Sequence, residues 1–334
     1  MKRNGIFLND RLRISLTDNC NFKCKYCSNE GQKHNTNSFI DVDFLTNFFD
    51  KIVLENIYLK KINLTGGEPL LHKEVLKIVS KASKVCENIT INTNGSLLTK
   101  QLVDDLINSG VTCIKFGVDN PFSEFSKPII NDVKIHCEEL REIILYTVKK
   151  IPRSSLNIVV TRYNISDLHN IIKWIIDNSI NNVEFIELID FNFETRTPLI
   201  GDEPYNFIDL IRSLDTYFYD IKYNENLAKY IAYHSSGLIM QFAEDFCKHR
   251  VCANLWTRVD SNGCFSPCLK SNDSYPIDLN DNLTKQLLNQ KRLYCNSLSN
   301  YIPRDANGNI ASYLQKNIRN PEEYLTKSFT DLDI

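Results

Sequence analysis

The sequence predicts an α/β protein built on a partial (β/α)6 barrel of the TIM type. Short runs of Ile, Val, Leu and Thr alternate with segments of helical spacing between residues 11 and 188. Alternation of this kind is the mark of a parallel sheet with helical crossovers. It supplies six strands, which is too few to close the usual eight-stranded barrel.

Taken in order, Arg11–Leu16 reads as the first strand. Asp41–Glu55 is a helix, with Phe44, Leu45, Phe48 and Ile52 at helical spacing and Asp41 as its N-cap. Lys61–Leu64 is a strand that ends at Gly66-Gly67, and Lys73–Val85 is a helix. Ile89–Asn92 is a strand closed by the Asn94-Gly95 turn, and Thr99–Ser109 is a helix stopped by Gly110. Thr112–Val118 is the fourth strand, followed by a long helix over Asp132–Lys150 that halts before Pro152. Leu156–Val160 (strand), Ser166–Asn178 (helix) and Val183–Leu188 (strand) complete the alternation. Residues 8–195 are read as the barrel, 196–300 as a second, cysteine-rich unit and 301–334 as a tail, with a linker at Thr195–Pro204. In barrels of this type chemistry sits in the loops after the strands. The loops with informative residues, Thr17–Cys27, Gly66–Pro69 and Asn94-Gly95, all fall there.

A net charge of −2 with no block of like charges excludes a nucleic-acid footprint and a polybasic membrane anchor. The apolar run Gly5–Leu8 is too short for a signal peptide, and no stretch reaches the length of a membrane span. A cytoplasmic protein is expected. In a reducing compartment the 11 cysteines read as metal ligands or buried thiols rather than disulfides. They cluster: Cys20, Cys24 and Cys27 in one loop, and four more between 247 and 268.

The first cluster has the spacing C-x3-C-x2-C. Three thiolates on one loop can hold three irons of a [4Fe–4S] cube and leave the fourth to an external ligand, whereas a closed cluster needs four cysteines. The alternative is a zinc site completed by His34. Leu64–Leu71 reads LTGGEPLL and Ile89–Gly95 reads ITINTNG. Taken alone, each is an ordinary turn signal.

Together these segments resemble the radical SAM superfamily. LRISLTDNCNFKCKYC, INLTGGEPLL, TINTNG, LNIVVTRYN and FIELID follow the order seen in its GTP 3′,8-cyclase branch. The resemblance covers roughly residues 10–270. It implies that S-adenosylmethionine (SAM) chelates the open iron and is cleaved to a 5′-deoxyadenosyl radical. It implies that Tyr26 packs beside the adenine, that Gly66 and Gly67 admit SAM to the backbone, and that Glu68 accepts hydrogen bonds from its ammonium. Asn94 belongs to the turn lining the SAM pocket. Asp119 and Asn157, near the ends of further strands, are read either as SAM ligands or as turn caps.

The second cluster, FCKHRVCANLWTRVDSNGCFSPCLK, fits C-x10-G-x4-C from Cys252 to Cys268. It resembles the SPASM module or its shorter form, twitch, which holds a second, auxiliary [4Fe–4S] cluster. Cys247, Cys252 and Cys268 match its ligands best, although the first pair is spaced C-x4-C instead of C-x2-C. Cys264, Cys295 or the substrate is left for the fourth position. Cys264 is alternatively a hydrogen-atom donor to a product radical, and a zinc site using His249 is the competing reading.

The cyclase's substrate cations correspond to Arg13 and Arg258, both retained, and to Asn63, Ser155 and Trp256, none of them charged. The cyclase's Gly-Gly C-terminus is replaced by DLDI. GTP is therefore not expected as substrate. Trp256 instead offers a flat apolar surface. The expected substrate is a small nucleotide-like or sugar-like metabolite. A ribosomally made peptide is the alternative, against which the short stretch before the first strand leaves no room for a leader-binding domain. A catalytically inactive Fe–S binding protein is the reading from another class. Flavodoxin or ferredoxin is the electron donor the resemblance implies.

Overall fold

The computed structural model describes residues 11–24, 26–27, 36–122, 136–161, 163–188, 207–224, 229–244, 257–266, 274–287 and 289. Six parallel strands follow one another across the sheet in chain order: β1 (Arg11–Ser15), β2 (Lys61–Thr65), β3 (Ile89–Thr93), β4 (Val111–Gly117), β5 (Ser155–Val160) and β6 (Asn182–Glu187). Helices α1 (Val42–Leu54), α2 (Val75–Ala82), α3 (Lys100–Ser109), α4 (Cys137–Lys150) and α5 (Leu168–Asp177) connect them in order. The predicted partial barrel is present, with boundaries within a few residues of those read from the sequence. The exception is the start of α4, because residues 123–135 lie outside the described set.

Local signals set these helices. The Asp41 carboxylate accepts the Phe44 N–H at 2.6 Å, a cap worth about 1 kcal/mol. Thr99 Oγ1 accepts the Leu102 N–H at 3.1 Å, and Gly110 ends α3 in the left-handed conformation. Each strand carries one face of aliphatic side chains. Leu12 and Ile14, Ile62 and Leu64, and Leu156 and Ile158 are all at most 2% exposed. They pack against Leu45, Phe48, Ile78 and Ile171 of the helices in one continuous core. The alternate strand positions form the inner face of the half-barrel. That face is polar and includes Arg13, Asn63, Lys115, Ser155, Asn157 and Glu184.

The sheet extends beyond the six predicted strands. After α6 (Phe207–Ser213) come β7 (Asp220–Asn224), β8 (Lys229–Tyr233) and β9 (Ile239–Ala243). Strand β9 lies parallel beside β6, and β8 and β7 continue outward antiparallel. On the other side β10 (Thr257–Val259) lies parallel beside β1, followed by β11 (Cys264–Phe265) and β12 (Tyr275–Pro276). The later segment also docks on α1. Glu55 accepts the N–H groups of Leu283 and Thr284, both at 2.8 Å, and Leu283 enters the core. The linker at 195–204 and the tail at 301–334 lie outside the described residues. Among the described residues no helix is long and apolar enough to cross a membrane.

Candidate active site

Because β1 to β4 are parallel, the loops after them meet at one end of the sheet. The loop after β1 carries the three clustered cysteines. Its base is pinned by Asp18, a buried residue that the sequence reading passed over. Asp18 Oδ1 accepts the Ser38 N–H at 2.9 Å, and Oδ2 accepts both the N–H (2.7 Å) and the hydroxyl of Thr36. Thr17 Oγ1 donates to Ser38 O at 2.7 Å, so the two ends of the loop are tied side by side.

Cys20 and Cys24 are half-buried and Cys27 is exposed. Phe22 is buried against Cys20, Cys24, Tyr26 and Tyr163 and gives the thiols an apolar cover. Burial pushes the Cys20 thiol up to about 11, with the charges of Glu68 and Cys27 adding to it. Burial raises Cys24 further, helped by Asp119, Cys27 and Cys20. Cys20 and Cys24 therefore sense each other and Cys27. In the ligand-free chain both favour the protonated state, because a thiolate would be desolvated among other negative groups. The Phe22 N–H donates to Cys20 Sγ at 3.3 Å. Among the described residues no three Cys, His, Asp or Glu side chains converge on one metal-binding point. The donor set nonetheless fits a cluster held at three corners: three thiols on one loop, an N–H donor to sulfur and an apolar cover. His34 lies outside the described residues.

The Gly66–Glu68 turn is seated on this loop. The Gly67 N–H donates to Thr17 O and the Glu68 N–H to Asn19 O, both at 2.8 Å. A Cβ on Gly66 would stand 2.3 Å from Thr17 O, and one on Gly67 would stand 2.0 Å from Asn19 O. Both glycines are thus required by the contact between two backbone segments, which is a reason the sequence reading did not supply. Glu68 is 1% exposed. It accepts hydrogen bonds from Thr93 Oγ1 at 2.8 Å, the Asn94 N–H at 2.8 Å and the Leu70 N–H at 3.1 Å.

The turn after β3 closes the same site. Asn94 Nδ2 donates to Asn21 Oδ1 at 2.9 Å, Asn21 Nδ2 donates to Ser96 Oγ at 2.8 Å, and Ser96 Oγ donates to Asn94 Oδ1 at 2.6 Å. This ring of amides and hydroxyl ties the cysteine loop to β3, and Asn21 and Ser96 join the site through it. At the end of β4 the buried Asp119 accepts the Tyr26 hydroxyl on Oδ2 and the Val159 N–H on Oδ1 at 3.0 Å. Asp119 therefore fastens the last turn of the cysteine loop to β5. Asn157 is not in a loop. It sits on the inner face of β5 beside Glu184 of β6, and its Oδ1 has no hydrogen-bond partner in the protein.

Two of these carboxylates titrate unusually. Burial pushes Glu68 up to about 7 and Asp119 up to about 6, against ordinary values of 4.5 and 3.8. The folded state then holds more protons than the unfolded one between about pH 4 and 7, so stability falls as pH rises through that window. Glu184 does not mask the effect. Lys229 and Lys115 hold it down at about 2, so its contribution changes only below its ordinary 4.5. Urea unfolding of the metal-free protein is expected to show higher stability at pH 5 than at pH 7.5, by a few kcal/mol at most. Glu68→Gln and Asp119→Asn should each flatten that slope. A stability that rises between these pH values contradicts the buried placement of both groups.

On the inner face Arg13 of β1 lies beside Arg258 of β10 and beside Asn63 of β2. The two retained cations are therefore brought together. The uncharged replacements Asn63 and Ser155 are buried, and Asn63 Oδ1 and Ser155 Oγ have no protein partner. Cys264 opens β11 directly after the β10–β11 turn, half-buried, with its N–H donating to Asp260 Oδ1 at 2.9 Å. That turn meets the base of the cysteine loop: Ser38 Oγ donates to Ser261 O at 3.1 Å and lies 2.8 Å from Asn262 Oδ1. Cys247, Cys252, Cys268, Cys295, His249 and Trp256 lie outside the described residues.

The family model described as "Radical SAM superfamily" matches residues 14–175. Among curated proteins the chain is similar to the GTP 3′,8-cyclase of Staphylococcus epidermidis, 30% identical over 284 residues, covering 77% of this chain and 78% of that protein. It is also 29% identical over 275 residues to the GTP 3′,8-cyclase of Staphylococcus carnosus, covering 78% of each. Among solved structures it is similar to anSMEcpe with bound AdoMet, with a TM-score of 0.60 at 17% identity over 85% of this chain and 82% of that one. Streptococcus suis SuiB bound to precursor peptide SuiA superposes with a TM-score of 0.61 at 14% identity. That match covers 83% of this chain but 64% of SuiB, somewhat less than two thirds of its length. At these identities the structural likeness concerns the fold.

Proposed function

Since the chain belongs to the radical SAM superfamily and is an enzyme of it, we propose that it removes a hydrogen atom from a small biosynthetic metabolite, nucleotide-like or sugar-like, that is not GTP. Cluster and SAM, when bound, supply a 5′-deoxyadenosyl radical. The chain's own residues hold and orient these groups and shield them from water. Cys20, Cys24 and Cys27 are the cluster ligands. In this reading Glu68 accepts the SAM ammonium, and Tyr26, held by Asp119, flanks the adenine. Gly66, Gly67 and Asn94 shape the wall between them. In this reading Asn157, with Arg13, Arg258 and Trp256, faces the substrate. Cys247, Cys252 and Cys268 are proposed to hold an auxiliary [4Fe–4S] cluster, and Cys264 to serve as its fourth ligand or as a hydrogen-atom donor. A flavodoxin or ferredoxin is the proposed reductant.

The observation that carries this reading is the seating of the Gly66–Glu68 turn on the cysteine loop, which sets a buried carboxylate near the Cys20 thiol. The case against GTP is electrostatic. Asn63 and Ser155 stand where the cyclase carries cations, and each charged hydrogen bond lost is worth roughly 1.5–3 kcal/mol. Their unpartnered oxygens suit the hydroxyl and amino groups of a substrate better than its phosphates.

The test is anaerobic incubation of reconstituted protein with SAM and dithionite, reading 5′-deoxyadenosine. Sugar phosphates or nucleoside monophosphates should raise the yield, and GTP should leave it unchanged. A rise with GTP, or only with a peptide, overturns the substrate assignment. Absence of 5′-deoxyadenosine under every condition overturns the chemistry.

A further inference from the structure

At the end of the strands opposite the cysteine loop, the inner face opens on a cavity of about 530 Å³. Lys61, the first residue of β2, is half-buried in its wall. The charges around this amine are nearly all of its own sign. Arg11 comes from β1, Lys60 from the residue before β2, Lys115 from β4 and Arg153 from the turn before β5. Glu184 is the one carboxylate among the lining residues, and it is engaged elsewhere. Its Oε1 lies 2.6 Å from Lys229 Nζ and its Oε2 lies 3.5 Å from Lys115 Nζ. Among the described residues no carboxylate pairs with Lys61. Cys113 is the remaining ionisable group of the wall, and its thiol donates to Arg153 O at 3.2 Å.

This setting weakens the hold of Lys61 on its proton. Burial, then the like charges of Lys115, Arg11 and Arg153, push its ammonium down to about 8, with only Cys113 acting the other way. At pH 7.5 about a quarter of such an amine is free base, against about one part in a thousand for an ordinary lysine. An amine desolvated beside other cations is how a lysine becomes a nucleophile toward carbonyl groups. The same cations draw an anion into the cavity. Ser155 adds a third feature. It is 7% exposed, lines the same wall, and its Oγ has no partner in the protein. That hydroxyl suits a ligand with hydroxyl groups of its own. A reactive amine, a cluster of cations and an unused hydroxyl thus face one enclosed space.

We propose that Lys61 is a covalent binding site for a small aldehyde or ketone carrying an anionic group, which it holds as an imine inside this cavity. Nζ adds to the carbonyl carbon and passes its two protons to the carbonyl oxygen, which leaves as water. No oxidant or reductant takes part. Arg11, Lys60 and Arg153 hold the anionic end. The open-chain form of a sugar phosphate has this chemistry. The proposal deepens the substrate reading above and rests on it only for the claim that the occupant is the substrate.

Imine trapping on the reconstituted full chain, under anaerobic conditions and without SAM, tests the proposal. The probes are glyceraldehyde 3-phosphate and its unphosphorylated form, glyceraldehyde. Cyanoborohydride reduces any imine to a stable amine, and peptide mass mapping reads the labelled lysine. At pH 7.5 glyceraldehyde 3-phosphate should label Lys61 at least about tenfold faster than Lys173, which is 70% exposed and paired with Asp177. The gain in rate is smaller than the gain in free base, because a weaker base is also a weaker nucleophile. Labelling of Lys61 should be half-maximal near pH 8. Glyceraldehyde should label it about fivefold more slowly or worse, and excess inorganic phosphate should protect it. Lys61→Arg, which keeps the charge, should lose this adduct and no other. Labelling of Lys61 no faster than that of Lys173, a half-maximum above pH 10, or equal rates with the two aldehydes overturns the proposal. If Lys61→Arg does not fold, the rates on the parent still decide. The readout involves no radical chemistry, so failure here leaves the 5′-deoxyadenosine result standing, and the reverse also holds.

Discussion

Alanine in place of Cys24 abolishes 5′-deoxyadenosine release and leaves the anaerobically reconstituted protein with little iron or sulfide, while thermal unfolding stays close to that of the parent. The prediction follows from how the thiol is held. Cys24 sits half-buried in a pocket made by Phe22 and Tyr26, and its thiol is raised by burial and by the charges of Asp119, Cys27 and Cys20. Metal binding is the change that makes a thiolate favourable there, because iron neutralises the charge that burial and the neighbouring acids penalise. Two remaining thiols cannot hold three corners of a cube. The fold has little to lose. Among the described residues the thiol makes no side-chain hydrogen bond to a core residue, and truncating it to a methyl removes one partly exposed sulfur, within about 1 kcal/mol. Cys20 and Cys27 should behave alike. Cys86 supplies the contrast. It is 4% exposed, and its thiol contacts Asn88 O at 3.6 Å at the far end of β3. Cys86→Ala should keep full iron content and full SAM cleavage. Iron and sulfide analysis with the visible charge-transfer absorbance reads both variants. Normal iron loading in Cys24→Ala would sink the assignment of that loop.

The parts of this site that were legible in the sequence are those with local causes. Strands β1 to β6 are short aliphatic runs bounded by turn residues, and their helices carry caps such as Asp41 and Thr99. Clustered cysteines at fixed spacing needed no tertiary information either. What escaped depends on distant partners. Strand β10 has three residues and gains its place from pairing with β1, over 240 positions away in the chain. Strands β8 and β9 form a hairpin around Ser236-Gly237, a local turn signal whose flanking strands are too short and mixed in character to stand out in the sequence. Asp18 looks like any loop acid until Thr36 and Ser38 are seen folded back onto it. Glu184 carries no local signal in the sequence. Only the arrival of Lys115 from β4 and Lys229 from β8 makes it a partly buried ion-pair centre. The role of Gly66-Gly67 was half legible: the need for glycine was clear, but the surface pressing on it was not.

That surface yields the second large effect. Alanine at Gly67 should lower stability by about 3 kcal/mol and strip the cluster from the folded fraction. The added Cβ would meet Asn19 O at 2.0 Å, Asn19 C at 2.4 Å and Cys20 N at 2.9 Å. All three atoms are backbone, so no side chain can rotate away, and relief requires moving the cysteine loop itself. That movement breaks the Gly67-to-Thr17 and Glu68-to-Asn19 hydrogen bonds. It also separates Glu68 from the Cys20 thiol. Gly237→Ala is the informative comparison. Gly237 has φ +87 with nothing within 4 Å of the added carbon, so its substitution reports backbone strain alone, about 1 kcal/mol. Gly67 is not among the positive-φ positions, so its cost is the collision and not the conformation. Urea unfolding paired with iron analysis separates the two. Gly237→Ala should lose a little stability and no iron, and Gly67→Ala should lose both. If Gly67→Ala unfolds at the parent's urea concentration and binds a full complement of iron, the turn is not seated on the cysteine loop in the working enzyme, and the geometry proposed for SAM beside Glu68 falls with it.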